Sequence, residues 1–146
     1  MLHLLQGEVE EALAGLWRDL QTNPNSASGN ALVGLLLMYT GKAEESIAYY
    51  QRAMRLSPMY TSWYPGSLGD AYRLLGRYEE AIASLNSYIE REPEDVRVAR
   101  VRLAATLMQA GREDEARAVA KETLRLKPDF SVARYYAFAP NTQTRR

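Results

Sequence analysis

Two residue types march through this chain in register. Glycines stand at Gly7, Gly41, Gly76 and Gly111, and prolines at Pro24, Pro58, Pro93 and Pro128, both with steps of 34, 35 and 35 residues. Every Gly-to-Pro interval is 17 residues. A fixed period of this size is the mark of a repeat architecture, in which one supersecondary unit is copied and stacked. Few other folds for 146 residues are compatible with it.

The intervals read as helices. Ala43 to Arg55, Tyr78 to Glu90 and Glu113 to Arg125 each open on acidic residues (Glu44 and Glu45; Glu79 and Glu80; Glu113, Asp114 and Glu115). Two close on basic ones, Arg52 with Arg55 and Arg125 with Lys127, an order that complements the helix dipole. Proline then stops each helix, because it lacks an N–H and clashes with the preceding turn. Between each Pro and the next Gly runs a second helical stretch: Gly29 to Thr40, Gly66 to Leu75 and Arg97 to Ala110. The apolar residues Ala81, Ile82, Leu85, Tyr88 and Ile89 keep helical spacing, and no strand pattern appears. The unit is helix, tight turn, helix.

This pattern resembles the tetratricopeptide repeat (TPR), which runs Leu-Gly, Tyr, Ala, aromatic and Pro over about 34 residues. The third copy carries Leu68-Gly69, Tyr72, Gly76, Tyr78, Ala81, Leu85 and Pro93, with Pro65 in the usual Trp slot. The second offers Val33-Gly34, Leu37, Tyr50, Ala53 and Pro58, with Ser46 for Ala. The fourth offers Leu103-Ala104, Leu107, Ala116, Ala120 and Pro128. Small residues at Gly34, Gly69, Ala104, Ala81 and Ala116 let paired helices approach. The resemblance implies an all-α, right-handed superhelix of antiparallel helix pairs. It divides the chain into one array over 1–140: a partial repeat 1–24, full repeats near 25–58, 59–93 and 94–128, and a partial helix 129–139. A tail, 141–146, has no apolar period and is expected to be disordered.

The first repeat is expected to lack its first helix, Leu2 to Gln6 standing where that helix should finish. Its second helix then presents Leu13, Leu16, Trp17 and Leu20 with half a partner missing. Two readings follow: this end self-associates or was cut from a longer protein, or Leu2, Leu4 and Leu5 fold back as a cap.

By slot, the resemblance points Leu35, Met38 and Tyr39, then Trp63, Asp70, Arg73 and Leu74, then Val98, Arg102, Ala105, Met108 and Gln109, and finally Tyr136, into a concave groove. Methionines and aromatics there suit contacts with a peptide or a partner helix. Each also suits packing on a neighbouring helix. Arg73 and Arg102 can hold a carboxylate from a partner or pair with Asp70; the pairing is the expectation for Arg73. Some TPR proteins grip a C-terminal carboxylate with Lys and Asn. Here Ala31, Leu35, Ser67 and Val98 replace those residues and only Arg102 matches, so that clamp is not expected.

The segment Ser57 to Gly66 carries an extra residue and a proline, Pro65, that is best placed in the first turn of the next helix. It also carries the aromatics Tyr60, Trp63 and Tyr64, which either fill a gap between repeats or form a contact patch at the groove rim. Ala53-Met54-Arg55-Leu56-Ser57-Pro58, Tyr60, Trp63-Tyr64, Leu68-Gly69, Ala71-Tyr72, Gly76 to Ile82, and Leu126 with Pro128-Asp129-Phe130-Ser131 also resemble the TPR segment behind the catalytic domain of some bacterial adenylate/guanylate cyclases and related regulators. That resemblance implies a docking module of a signalling protein.

Nothing suggests chemistry. The one histidine is His3, and cysteine is absent. No nucleophile turn or phosphate loop occurs, so no cofactor and no metal is expected. Eighteen Lys+Arg against eighteen Asp+Glu give no cationic surplus for nucleic acid. The apolar run Ala31 to Met38 is too short for a bilayer, which takes about 20 residues. No signal peptide is expected at Met1 to Gln6. The sequence reading is therefore a cytoplasmic protein-interaction scaffold.

Overall fold

The computed structural model describes residues 2–94 and 98–131, with side chains from Leu5 onward. Seven helices account for most of these: α1 (Leu2–Thr22), α2 (Ala27–Tyr39), α3 (Ala43–Leu56), α4 (Trp63–Leu74), α5 (Tyr78–Arg91), α6 (Ala99–Gln109) and α7 (Glu113–Leu126). Among the described residues there is no strand. The helices pair as α2/α3, α4/α5 and α6/α7, and each pair packs on the next through α3/α4 and α5/α6.

Three identical turns close the pairs. Gly41, Gly76 and Gly111 have φ of 80°, 72° and 76°, a left-handed conformation that costs glycine nothing. In the first, Gly41 N–H donates to Met38 O (3.2 Å) and Lys42 N–H to Leu37 O (2.8 Å). Gly76 with Arg77, and Gly111 with Arg112, repeat both bonds onto Arg73 and Tyr72, and onto Met108 and Leu107. This is the Schellman arrangement, which satisfies the last carbonyls of one helix while turning the chain into the next. At the other end of each pair, α3, α5 and α7 stop two residues before Pro58, Pro93 and Pro128, and α1 does the same before Pro24.

The pairs close up where side chains are small. A Cβ on Gly69 would stand 2.9 Å from Leu85 Cγ and 3.4 Å from the Ala81 carbonyl oxygen. On Gly34 it would stand 3.2 Å from both Tyr50 Cζ and the Ser46 carbonyl oxygen. Ser46 serves in an alanine slot because its hydroxyl donates to Ala43 O (2.7 Å), within its own helix. Around these contacts the core runs from repeat to repeat. Ile47 and Tyr50 join Leu68, Ala71, Tyr72 and Ala81. Ile82 and Leu85 join Leu103, Leu107 and Ala116.

The first repeat departs from expectation. Gly7 does not turn; α1 passes through it as one continuous helix, and a Cβ there would meet nothing within 4 Å. The backbone keeps its helical hydrogen bonds through Gly7. Helix α4 begins at Trp63, ahead of the Gly66 to Leu75 stretch and as the placing of Pro65 in a first turn requires. Pro65 sits in its first turn, where a missing N–H is harmless. The chain from 132 to 146, with Tyr136, the partial helix and the tail, lies outside the described residues, as does the His3 side chain.

Stacking bends the array one way. Helix α2 touches α4 and α4 touches α6, whereas no such contact joins α1, α3, α5 and α7 to one another. The first set therefore lines the inner, concave side and the second the outer side.

Glycine geometry supplies a test. Gly7→Ala should raise stability by about 0.5–1 kcal/mol, since a helical glycine costs entropy. Gly76→Ala should lower it by about 1 kcal/mol through its left-handed backbone. Urea denaturation of both variants checks this; a loss for Gly7→Ala would contradict a continuous α1.

Candidate partner-binding site

The inner wall is built from α2, α4 and α6, one per repeat. Leu35 and Met38 of α2 are half-buried and pack on the core between repeats, as does Trp63 of α4. Tyr39 is 66% exposed, Leu74 53% and Met108 54%. Ala105 and Gln109 are also exposed, and Val98 is half-buried. Tyr39, Leu74 and Gln109 occupy the same slot in successive repeats, as do Met38, Arg73 and Met108. The inner helices thus each carry an exposed large apolar side chain, Tyr39, Leu74 and Met108.

One charged cluster stands among them. Asp70 Oδ2 lies 3.0 Å from Arg102 Nη1 of the next repeat, and Asp70 Oδ1 lies 3.7 Å from Arg73 Nη2, one helical turn away. Both arginines pair with Asp70, and the tighter contact is the one across repeats. Burial raises the Asp70 carboxyl above the usual aspartate range, and the two guanidiniums only partly offset that. Beneath the cluster lies the Tyr50 hydroxyl. Ser67 stands beside it, but not in hydrogen-bond geometry, and burial pushes the phenol far up.

The aromatics of the connector fill the gap between repeats. Trp63 meets Tyr64 edge-on at 4.5 Å and Tyr50 at 6.4 Å. Tyr60 stacks on Tyr64 at 6.3 Å, and the Arg91 guanidinium covers the Tyr60 ring at 3.7 Å. Ser62 closes the patch with a hydrogen bond to Glu92.

On the outer face the N-terminal expectation needs correction. Leu13 is buried, and Leu16 and Leu20 pack with it on Val33 and Leu37 of α2, so these leucines already have a partner within the chain. One face of α1 is enough to cover α2. Trp17 alone of the four stays exposed. With Leu20, Ala48, Tyr49 and Arg52 it flanks an outer groove of 550 Å³ between α1 and α3, where the bend spreads the helices.

A feature missed in the sequence runs along the turns. Arg77 pairs with Glu80 in its own helix (2.7 Å) and Glu44 in the preceding repeat (3.3 Å). Arg112 pairs with Glu115 (2.7 Å) and Glu79 (2.9 Å) in the same way. The 33-residue spacing from Glu44 to Arg77 and from Glu79 to Arg112 was the available signal. The acidic helix starts are thus rungs between repeats as well as dipole partners.

Two family models described as tetratricopeptide repeat match residues 26–94 and 72–139. The chain is a tetratricopeptide-repeat array. Solved structures of MamA share its fold. One MamA crystal structure is 21% identical, covers 90% of this chain and 75% of its own, and superposes with a TM-score of 0.78. A MamA structure of AMB-1 is 23% identical over 88% of this chain and 75% of that one, with a TM-score of 0.76. The MamA RS-1 ArsTM double mutant is 19% identical over 91% and 72%, with a TM-score of 0.77. No curated protein matches. Among the described residues of this TPR array no group of acidic or histidine side chains is arranged for a metal, and no helix is long and apolar enough to cross a membrane.

The two kinds of carboxylate titrate oppositely. Hydrogen bonds from Arg77 and Arg112 lower the Glu80 and Glu115 carboxyls, so their contribution to stability is present at neutral pH and is lost as pH falls through those depressed values. Asp70 is raised, so its burial penalty is present above its folded pKa and is relieved as pH falls through it. An NMR titration of side-chain carboxyls should place Asp70 above about 3.9 and Glu80 and Glu115 below about 4.3. An Asp70 midpoint at or below the ordinary value would contradict its burial.

Proposed function

We propose that the concave face of this array binds a segment of a partner protein, a peptide or a single helix. The observation that carries this is the exposure of Tyr39, Leu74 and Met108, large apolar side chains on three successive inner helices. Exposed large apolar side chains on a curved scaffold favour association, and aromatics and methionines supply anchors that adapt to a ligand. Trp63, Leu35 and Met38 shape the floor of the groove, and Arg73 and Arg102, braced by Asp70, together with Gln109 give it polar points of recognition. Tyr136 is assigned to its far end by slot.

The role is that of a scaffold and not an enzyme. The resemblance to cyclase-linked segments supports a place in a larger bacterial, cytoplasmic regulator, with neither nucleic acid nor membrane as its target. A second reading, self-association through α1, rests on the exposed Trp17 and Leu5 of that helix. Light scattering that gives the same monomer mass for the parent and Trp17→Ala at high concentration removes that second reading.

The test of the first is a selection from a random peptide display library against the whole chain. Selected segments should bind saturably, lose affinity about tenfold or more in Tyr39→Ala or Met108→Ala, and keep it in the outer-face variant Tyr49→Ala. Binding that follows Tyr49 and ignores Tyr39 and Met108 overturns the groove assignment.

A further inference from the structure

Charge is distributed unevenly between the two faces of the array. Helices α2, α4 and α6 together carry a single acidic residue, Asp70, against Arg73, Arg100 and Arg102. Arg100 belongs elsewhere: it lies within electrostatic reach of Glu122 on α7, an outer helix, and its Nε is buried. The remaining three charges sit together in the middle of the concave wall, two guanidiniums on one carboxylate.

The exposed part of that cluster is cationic. The Arg73 and Arg102 side chains are 30% and 33% exposed, Asp70 only 16%, and Asp70 Oδ1 is covered altogether. Asp70 is an internal brace for the guanidiniums more than a group offered to a ligand. With one carboxylate between them, the arginines keep a surplus positive charge at a partly desolvated site, where opposite charge is attracted more strongly than in water. Their fixed fork geometry suits a carboxylate. Exposed large apolar side chains stand on the inner helices either side of α4, Tyr39 on α2 and Met108 on α6. A chain terminus bound at the centre would leave one side empty. A side-chain carboxylate lets the segment run across both.

We propose that Arg73 and Arg102 read one acidic side chain, Asp or Glu, set between apolar residues of the segment that the concave face binds. This rests on the groove reading and adds the chemistry of the ligand. The bound carboxylate completes a quartet of two guanidiniums and two carboxylates with no charge left over.

The probe is a display library of random 12-residue segments closed at both ends by fixed Gly-Ser linkers, selected against the whole chain. Selected segments should hold an Asp or Glu flanked by apolar residues. In a chosen segment, changing that residue to its amide should weaken binding about tenfold. Arg73→Gln, which leaves the Asp70–Arg102 contact in place, should weaken the acidic segment equally and leave the amide version unchanged. Arg102→Lys, which keeps the charge and loses the fork, should weaken the acidic segment without reversing the preference. Segments that depend on Tyr39 but contain no acidic residue, or tolerate its amide, overturn this inference and leave the groove reading standing. Failure to select any segment that depends on Tyr39 overturns the groove reading and this inference together.

Discussion

Everything in this molecule depends on how closely the two helices of a pair approach. At Gly69 the backbone of α4 lies against Leu85 and the Ala81 carbonyl of α5, and at Gly34 that of α2 lies against Tyr50 and the Ser46 carbonyl of α3. Helix pairs this tight leave no room for a side chain at the crossing, and interiors packed to crystal density do not absorb even a methylene without cost. The requirement is local, and it recurs at the repeat period. A short chain without cysteine is built this way because each pair also lends its outer flank to the next pair's core.

Curvature follows from the same packing. Contacts between α2 and α4 and between α4 and α6, with none joining the outer helices, draw the inner set together and spread the outer one. The spread opens the groove flanked by Trp17 and Tyr49, and the convergence brings Arg102 of one repeat to Asp70 of the one before. Acidic residues gather at the starts of the outer helices, where Arg77 and Arg112 tie each repeat to its predecessor. The neutral chain therefore has a concave wall with a cationic centre. Its balance of charge hides a division between faces.

Helix pairing was legible because glycine, proline and small residues keep one period, and each of these types answers a backbone or contact requirement that does not depend on distant residues. Legibility failed where a residue's role depends on what stands beside it. Gly7 shares the spacing of Gly41 but not its left-handed backbone, and spacing alone does not distinguish the two. Pro65, by contrast, was legible as a first-turn residue of α4, because a missing N–H is tolerated there. Slots grouped Asp70, Arg73 and Arg102 on one set of helices, yet did not show that Asp70 would reach Arg102 more closely than Arg73, which depends on the distance between repeats. The packing of Leu13, Leu16 and Leu20 on α2 was likewise a matter of geometry that periodicity alone does not contain.

The close approach can be measured directly by a double-mutant cycle between Gly69 and Leu85, read by urea denaturation. Gly69→Val adds bulk where Leu85 stands, and Leu85→Ala removes it, so the double variant should recover part of what the single changes lose, with a coupling of about 1 kcal/mol or more. Strictly additive losses would mean that these two positions do not share a crowded contact, and the helix-pair account would be wrong.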